Sequence, residues 1–168
     1  MNLTFHKESL KDCLEEIKPI WFSHWQETEG YRDGLGFNPD YALYLEYERI
    51  GYFHLFTARH DGKLVGDCGM YVRTSMHTQT KDAREDTIYL QPDYRKGGNG
   101  SKFLDFVENH LTHEMGVREI TLDIKLSNAR VGKLMERRGY CQRSIQYSKV
   151  FSQENNHVYI VAKSAACA

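Results

Sequence analysis

The run Arg95-Lys96-Gly97-Gly98-Asn99-Gly100 carries the chain's clearest chemical signal. It follows an extended segment, Glu85 to Leu90, and a short lead-in, Gln91-Pro92-Asp93-Tyr94, and it opens a helical pattern near Asn99. Glycines let a backbone approach a ligand closely. The first turn of a helix leaves its N–H groups without intrahelical partners, and those donors, with the positive end of the helix dipole, suit a phosphate. Arg95, Lys96 and Lys102 add positive charge nearby. No Gly-Lys-Ser/Thr follows, which excludes the nucleotide-triphosphate loop. No strand–helix–strand unit near the N-terminus supports a dinucleotide fold.

Other reactive residue types show no comparable order. Cys13, Cys68, Cys141 and Cys167 lie far apart and form no CxxC pair, so they signal neither zinc nor a redox dithiol. His54, His60 and His77 fall on a strand, a hairpin turn and a loop without tight ligand spacing, and no metal is expected.

The elements that must position the glycine turn are legible from periodicity and punctuation. A first helix is expected from Ser9 to near Glu29, with Ser9 and Asp12 as a capping box, an apolar face of Leu10, Cys13, Leu14, Ile17, Trp21 and Trp25, and a kink at Pro19. Asn38-Pro39-Asp40 opens a second helix with Asn38 as cap, a buried stripe of Leu43, Tyr44, Tyr47 and Ile50, and Gly51 as stop. Tyr52 to Arg59 and Lys63 to Arg73 form a hairpin around Asp61-Gly62. Residues 74 to 82 read as a loop before the Glu85 to Leu90 strand. A helix from Asn99 to Met115, a strand from Glu119 to Ile124, a short helix capped by Asn128, and strands from Cys141 to Phe151 and His157 to Lys163 complete the chain. The fold class is α/β in the mixed sense, a central sheet covered by helices, and 168 residues make one domain with a frayed tail from 164.

The balance of 22 basic against 23 acidic residues, net −1, shows no basic stripe for nucleic acid. No stretch approaches the ~20 apolar residues of a membrane span. Met1 to Asp12 has no apolar run, so no secretory signal is expected, and the chain is read as cytoplasmic with free thiols.

The glycine turn resembles the signature R/Q-x-x-G-x-G/A of the GNAT superfamily of acyl-CoA-dependent N-acyltransferases, matched by Arg95, Gly98 and Gly100. The lead-in Leu90-Gln91-Pro92-Asp93-Tyr94 is similar to the family's as well. A second block, Asn128, Leu134 and Gly139-Tyr140, has the spacing of the family's Asn…Leu-Tyr…Gly-Phe/Tyr segment. The segment around Trp25, Tyr41, Asp86 and the lead-in resembles GNAT-like proteins common in bacteria and tailed phages, which would place a phage-encoded copy in the host cytoplasm.

The resemblance implies a mostly antiparallel sheet with a splayed strand pair and about four helices. It implies acetyl-CoA as co-substrate, with the pantetheine arm paired near Leu90, the pyrophosphate held by N–H groups from Lys96 through Gly97, Gly98, Asn99 and Gly100 to Ser101, and Asn128 near the coenzyme. It also implies direct attack of a primary amine, from a small molecule or a protein, on the thioester by a monomer or homodimer. On the strand before the signature, where relatives place a carboxylate or histidine, Asp86 is the first candidate base. In strict alternation Asp86 shares a face with Ile88 and Leu90, and a bulge would favour Glu85 instead. The family's usual tyrosine after the leucine of the second block is Met135 here, which leaves Tyr140 or Tyr147 as candidate acids, with core packing as the other reading of Tyr140. The acceptor site implied by the fold draws on Trp21, Trp25, Tyr31, Tyr41, Tyr44, Tyr47, Glu46 and Glu48, whose aromatic and acidic character suits a cation; Trp25, Tyr44, Tyr47 and His77 are the substrate-binding candidates. Two readings stay open: a catalyst, or a GNAT-like module that binds acyl-CoA without turning it over.

Overall fold

The computed structural model describes residues 2–30 and 36–149. Two compact units are present, one running to Asp123 and the other from Ile124 onward.

The first unit is a five-stranded sheet in the order β1 (Thr4–Glu8), β2 (Phe53–His60), β3 (Lys63–Thr74), β4 (Lys81–Leu90), β5 (Val117–Thr121). Neighbours are antiparallel except β4 and β5, which are parallel. β1 is an addition to the sequence reading. Its five residues offer only Phe5 as an apolar member, too short a pattern to declare a strand. Arg59 holds it down, donating to Glu8 from β2 at 2.8 Å and to Glu16 of the first helix at 2.9 Å.

Helix α1 (Leu10–Thr28) buries Leu10, Cys13, Ile17, Ile20 and Trp21, and runs through Pro19 without a break. Its expected capping box does not form. The Leu10 amide donates to Glu48 Oε1 at 2.5 Å and the Ser9 hydroxyl to Glu48 Oε2 at 3.0 Å, so a carboxylate from the second helix caps the first. Helix α2 (Tyr41–Arg49) is capped by Asp40, not Asn38, through the Leu43 amide at 3.0 Å. Of the expected stripe, Tyr44 and Tyr47 do pack on the core, joined by Tyr41 and Leu45, whereas Leu43 and Ile50 are exposed.

The sheet separates two apolar layers. On one face, α1 and α2 pack on Phe53, Leu55, Leu64 and Tyr89. On the other, α3 (Asn99–Asn109), which continues as a wide π-type turn to Glu114, packs Phe103, Val107 and Leu111 on Phe56, Val65, Cys68, Met70 and Leu90. The β3–β4 connection is shorter than the expected loop: β3 reaches Thr74 and β4 starts at Lys81.

In the second unit α4 (Ala129–Arg137) buries Met135 and ends before Gly139, whose φ of +90° suits glycine. Asn128 occupies the N-cap position, yet its side chain makes no cap hydrogen bond, against expectation. Residues 141–149 contain no strand, so the expected Cys141 to Phe151 strand is absent over its described part. Tyr31, the last expected strand and the tail lie outside the described residues.

Candidate active site

β4 connects everything the site uses. It pairs with β5 only from Lys81 to Arg84. From Glu85 onward no described strand pairs with it on that side, so the β4–β5 pair opens at the carboxylates and the gap faces the end of β4 that leads to the glycine turn. Antiparallel to it, β3 pairs Gly69 with Thr87 and Met70 with Glu85, which leaves Asp86 as the extra residue of a bulge.

The bulge decides which way each carboxylate points. Ile88 and Leu90 belong to the α3 layer. Glu85, opposite Met70 of that layer, shares their face, and Asp86 is turned to the α1/α2 face. The parity expected for Asp86 is therefore overturned, for the reason that a bulge inserts one residue and inverts the alternation before it.

Asp86 lines a cavity of about 200 Å³ with Trp21, His24, Trp25, Thr28, Glu29, Phe37, Pro39, Tyr44 and Thr87. The Tyr44 hydroxyl donates to Asp86 Oδ2 at 2.8 Å, and the Tyr71 phenol lies near enough to the same carboxylate to favour its charged form. Burial pushes the Asp86 carboxyl above the usual range, and the two phenols oppose that by stabilising its charge. The Tyr44 and Tyr71 hydroxyls are themselves pushed up by burial and by the neighbouring carboxylate, so both remain donors at neutral pH. Glu85 receives the Asp123 amide where β5 ends, and burial raises it to about 8.

Of the aromatic candidates, Trp25 and Tyr44 line this cavity. Tyr47 does not; it packs edge-on against Tyr52 at 5.0 Å and against Tyr71 at 6.2 Å, one layer behind Asp86. His77 sits in the exposed β3–β4 turn, its amide bonded to the Ser75 hydroxyl, and is not a wall of the cavity. Glu46 and Glu48 are also diverted, Glu46 to Arg49 at 2.6 Å and Glu48 to the start of α1. The residue that sequence reasoning missed is Asp67, fully buried on β3, and nothing in its sequence surroundings marks it.

The glycine turn has the local form expected. Gly97 and Gly98 take φ of +62° and +76°, and Gly98 is the N-cap of α3. A Cβ at Gly98 or Gly100 would project into open space, so the demand for glycine comes from backbone conformation and ligand approach, not from crowding. Among the described residues no acceptor is found for the amides of Lys96, Gly97, Gly98 and Gly100, whereas the Asn99 amide bonds to Lys96 O at 3.2 Å. The Asn99 side chain is buried and ties the turn to Tyr94 O at 3.0 Å. Arg95 points elsewhere. Its guanidinium takes Glu27 of α1 in a two-pronged pair at 2.6 and 2.8 Å, donates to Leu90 O at 2.7 Å and lies 5.1 Å over the Tyr89 ring. Its charge is met by Glu27 and serves to pin α1 to the end of β4.

Tyr140 and Asn128 belong to the second unit. There the half-buried Tyr140 donates its amide to Met135 O at 3.0 Å, and Tyr147 is exposed.

The family model of the acetyltransferase (GNAT) family matches residues 10–140. The chain belongs to the GNAT acetyltransferase family. Its fold is shared by an aminoglycoside acetyltransferase from an uncultured soil metagenomic sample, with 14% identity over 89% of this chain and 97% of that one and a TM-score of 0.71. A ribosomal-protein-alanine N-acetyltransferase from Brucella melitensis matches with 21% identity over 90% of this chain and all (100%) of that one, TM-score 0.69. Glucosamine-6-phosphate N-acetyltransferase from Arabidopsis thaliana matches with 18% identity over 90% and 100%, TM-score 0.62. Comparison with curated protein sequences finds no match. As a GNAT protein the chain is an acyltransferase of the acetyl-CoA-dependent class. Among the described residues no helix is long and apolar enough to cross a membrane, and no group of His, Cys, Asp and Glu is arranged to hold a metal ion.

Proposed function

We propose that this GNAT protein acetylates a primary amine by direct attack on acetyl-CoA, with Asp86 as the base and the Trp21, Trp25 and Tyr44 cavity as the acceptor site. The observation that carries the reading is the bulge, which turns Asp86 into an aromatic cavity while the same strand runs on about 13 Å, at ~3.3 Å per residue, to its end at Leu90, where the lead-in to the glycine turn begins. Aromatic faces around a carboxylate suit an ammonium group. Asp86 would take a proton from that ammonium, and its raised pKa brings it closer to the working pH than an ordinary carboxylate.

Acetyl-CoA supplies the activated acetyl group. The amides of Lys96, Gly97, Gly98 and Gly100, with Ser101 in the first turn of α3, would hold its pyrophosphate, and the Lys96 and Lys102 side chains add positive charge. The β4 backbone up to Leu90, which no described strand pairs on the β5 side, would take the pantetheine arm. The family match crosses both units, which supports reading the chain as one domain. Free Cys13, Cys68 and Cys141 fit a reducing cytoplasm.

A second base reading has one observation behind it: Glu85 stands where β5 leaves β4 and is raised to about 8. The deciding experiment measures thiol release from acetyl-CoA with sisomicin, glucosamine 6-phosphate and an alanine-initiated peptide as acceptors. Asp86→Asn is expected to abolish the turnover found and Glu85→Gln to retain it. The opposite result assigns the base to Glu85. No acetylation of any amine, with acetyl-CoA still bound, would leave an acyl-CoA-binding module.

A further inference from the structure

Asp67 lies at the centre of the sheet, on β3, with no exposure to solvent. No cation is paired with it among the described residues. Its Oδ2 accepts two hydrogen bonds, from the Trp21 indole N–H at 3.0 Å and from the Thr87 hydroxyl at 2.5 Å. Its Oδ1 is buried without a partner among the described residues. A buried polar group set in this way costs free energy unless it is neutral or does something for its neighbours. Both of its donors are walls of the Asp86 cavity.

The contacts run onward from there. Thr87 accepts the Gly69 amide at 2.9 Å while it donates to Asp67, and Gly69 leaves the room for this, since a Cβ there would meet the Thr87 hydroxyl and the Phe53 ring at 2.9 Å. Trp21 packs on Tyr44 with ring centroids 4.8 Å apart and meets Phe53 edge-on at 6.4 Å. Tyr44 in turn donates to Asp86. A tryptophan whose indole N–H is held can rotate little, and its face then limits where the Tyr44 ring can sit.

We propose that Asp67 is the positioning residue of this cavity: by holding the Trp21 indole N–H and the Thr87 hydroxyl on one oxygen, it seats Trp21 against Tyr44 and so keeps the Tyr44 hydroxyl on Asp86. The inference rests on reading that cavity as the acceptor site. Burial raises the Asp67 carboxyl to about 7, its two donors pulling only partly the other way. The titratable groups around Asp86 are Tyr44 from α2, Tyr71 and Asp67 from β3, Glu85 next to it on β4 but on the opposite face of the sheet, and, in the same cavity, His24 of α1 and Glu29 just past its end.

The test needs no acceptor. The Asp86 carboxyl is titrated by carbon-detected NMR, assigned by its loss in Asp86→Asn, while the indole N–H resonances of the two tryptophans are followed. In Asp67→Val the Trp21 indole resonance should move upfield and the Asp86 midpoint should rise by about half a pH unit or more, since a displaced donor no longer favours the charged carboxylate. Asp67→Asn keeps an oxygen acceptor for both donors and should leave both signals near their wild-type positions. An unmoved midpoint in folded Asp67→Val overturns the proposal. A lowered midpoint also overturns it, by showing that Asp67 acts through its charge. So does an equal rise in Asp67→Asn. If Asp67→Val does not fold, Trp21→Phe removes the same donor from the other side, and a midpoint that fails to rise there overturns the proposal. Turnover does not enter this titration, so its result is separate from that of the Asp86→Asn assay of the base.

Discussion

The glycine turn and the Asp86 cavity stand at two ends of one stretch of β4 and are built by opposite means. The turn is local. Two left-handed glycines, a helix start and an asparagine bonded five residues back lie within one short run of sequence. The cavity is long-range. Trp21, Tyr44, Tyr71, Asp67 and Asp86 come from α1, α2, β3 and β4. Main-chain donors can be placed by the chain's own conformation and suit a constant ligand such as a pyrophosphate. A cavity walled by side chains from α1, α2 and β4, with β3 behind it, can vary in shape with little cost to the turn.

The comparison predicts that damage at one end spares the other. The largest effect is expected at the cavity: Asp86→Asn should lower kcat by ~10²–10⁴ with acetyl-CoA affinity by calorimetry unchanged, as befits a group that acts in proton transfer and not in coenzyme binding. A joint loss of affinity would break the separation. At the turn, Gly98→Val should weaken acetyl-CoA binding by ~10-fold or more, since a β-branched residue in a left-handed conformation costs about 1–3 kcal/mol and its side chain meets the ligand. The Asp86 titration should be unmoved in that variant.

Tyr44→Phe is a finer probe. The phenol stabilises the charged carboxylate, so removing it raises the Asp86 pKa. Asp86 must be ionised to act, and the acid limb of the kcat/KM profile should therefore move to higher pH by about half to one unit. A shift to lower pH would show that the phenol does not donate to the working form. The smallest effect belongs to Glu27→Gln. The Arg95–Glu27 pair is about 40% exposed on each side, and its loss should cost at most ~1 kcal/mol in denaturant unfolding. Acetyl-CoA binding should be unaffected, because Arg95 works as a brace between α1 and β4. A clear change in affinity would return Arg95 to the phosphate site.

Much of the fold was legible from local rules. The two long helices, the Asp61-Gly62 hairpin and the strand–turn–helix around Gly98 all follow from periodicity and turn residues. Two of the errors share a cause, namely that a partner distant in sequence was decisive: Glu48 caps α1 in place of the Ser9 box, and β1 exists because β2 offers it an edge. The shift of the α2 cap from Asn38 to Asp40 is local, two residues along the chain. Leu43 and Ile50 read as core on spacing alone and are exposed, because the tyrosines of α2 meet the sheet first.

By itself the sequence determined the glycine turn, the order of most elements and the family they belong to, because turn conformation and helix starts are set by residues a few positions apart. Only the tertiary structure decided which carboxylate enters the aromatic cavity. One extra residue between Glu85 and Thr87 reverses the facing of β4, and a bulge is a property of strand pairing that no single strand's alternation can show. The same holds for Asp67, whose role depends on an indole from a helix 46 positions away in the chain.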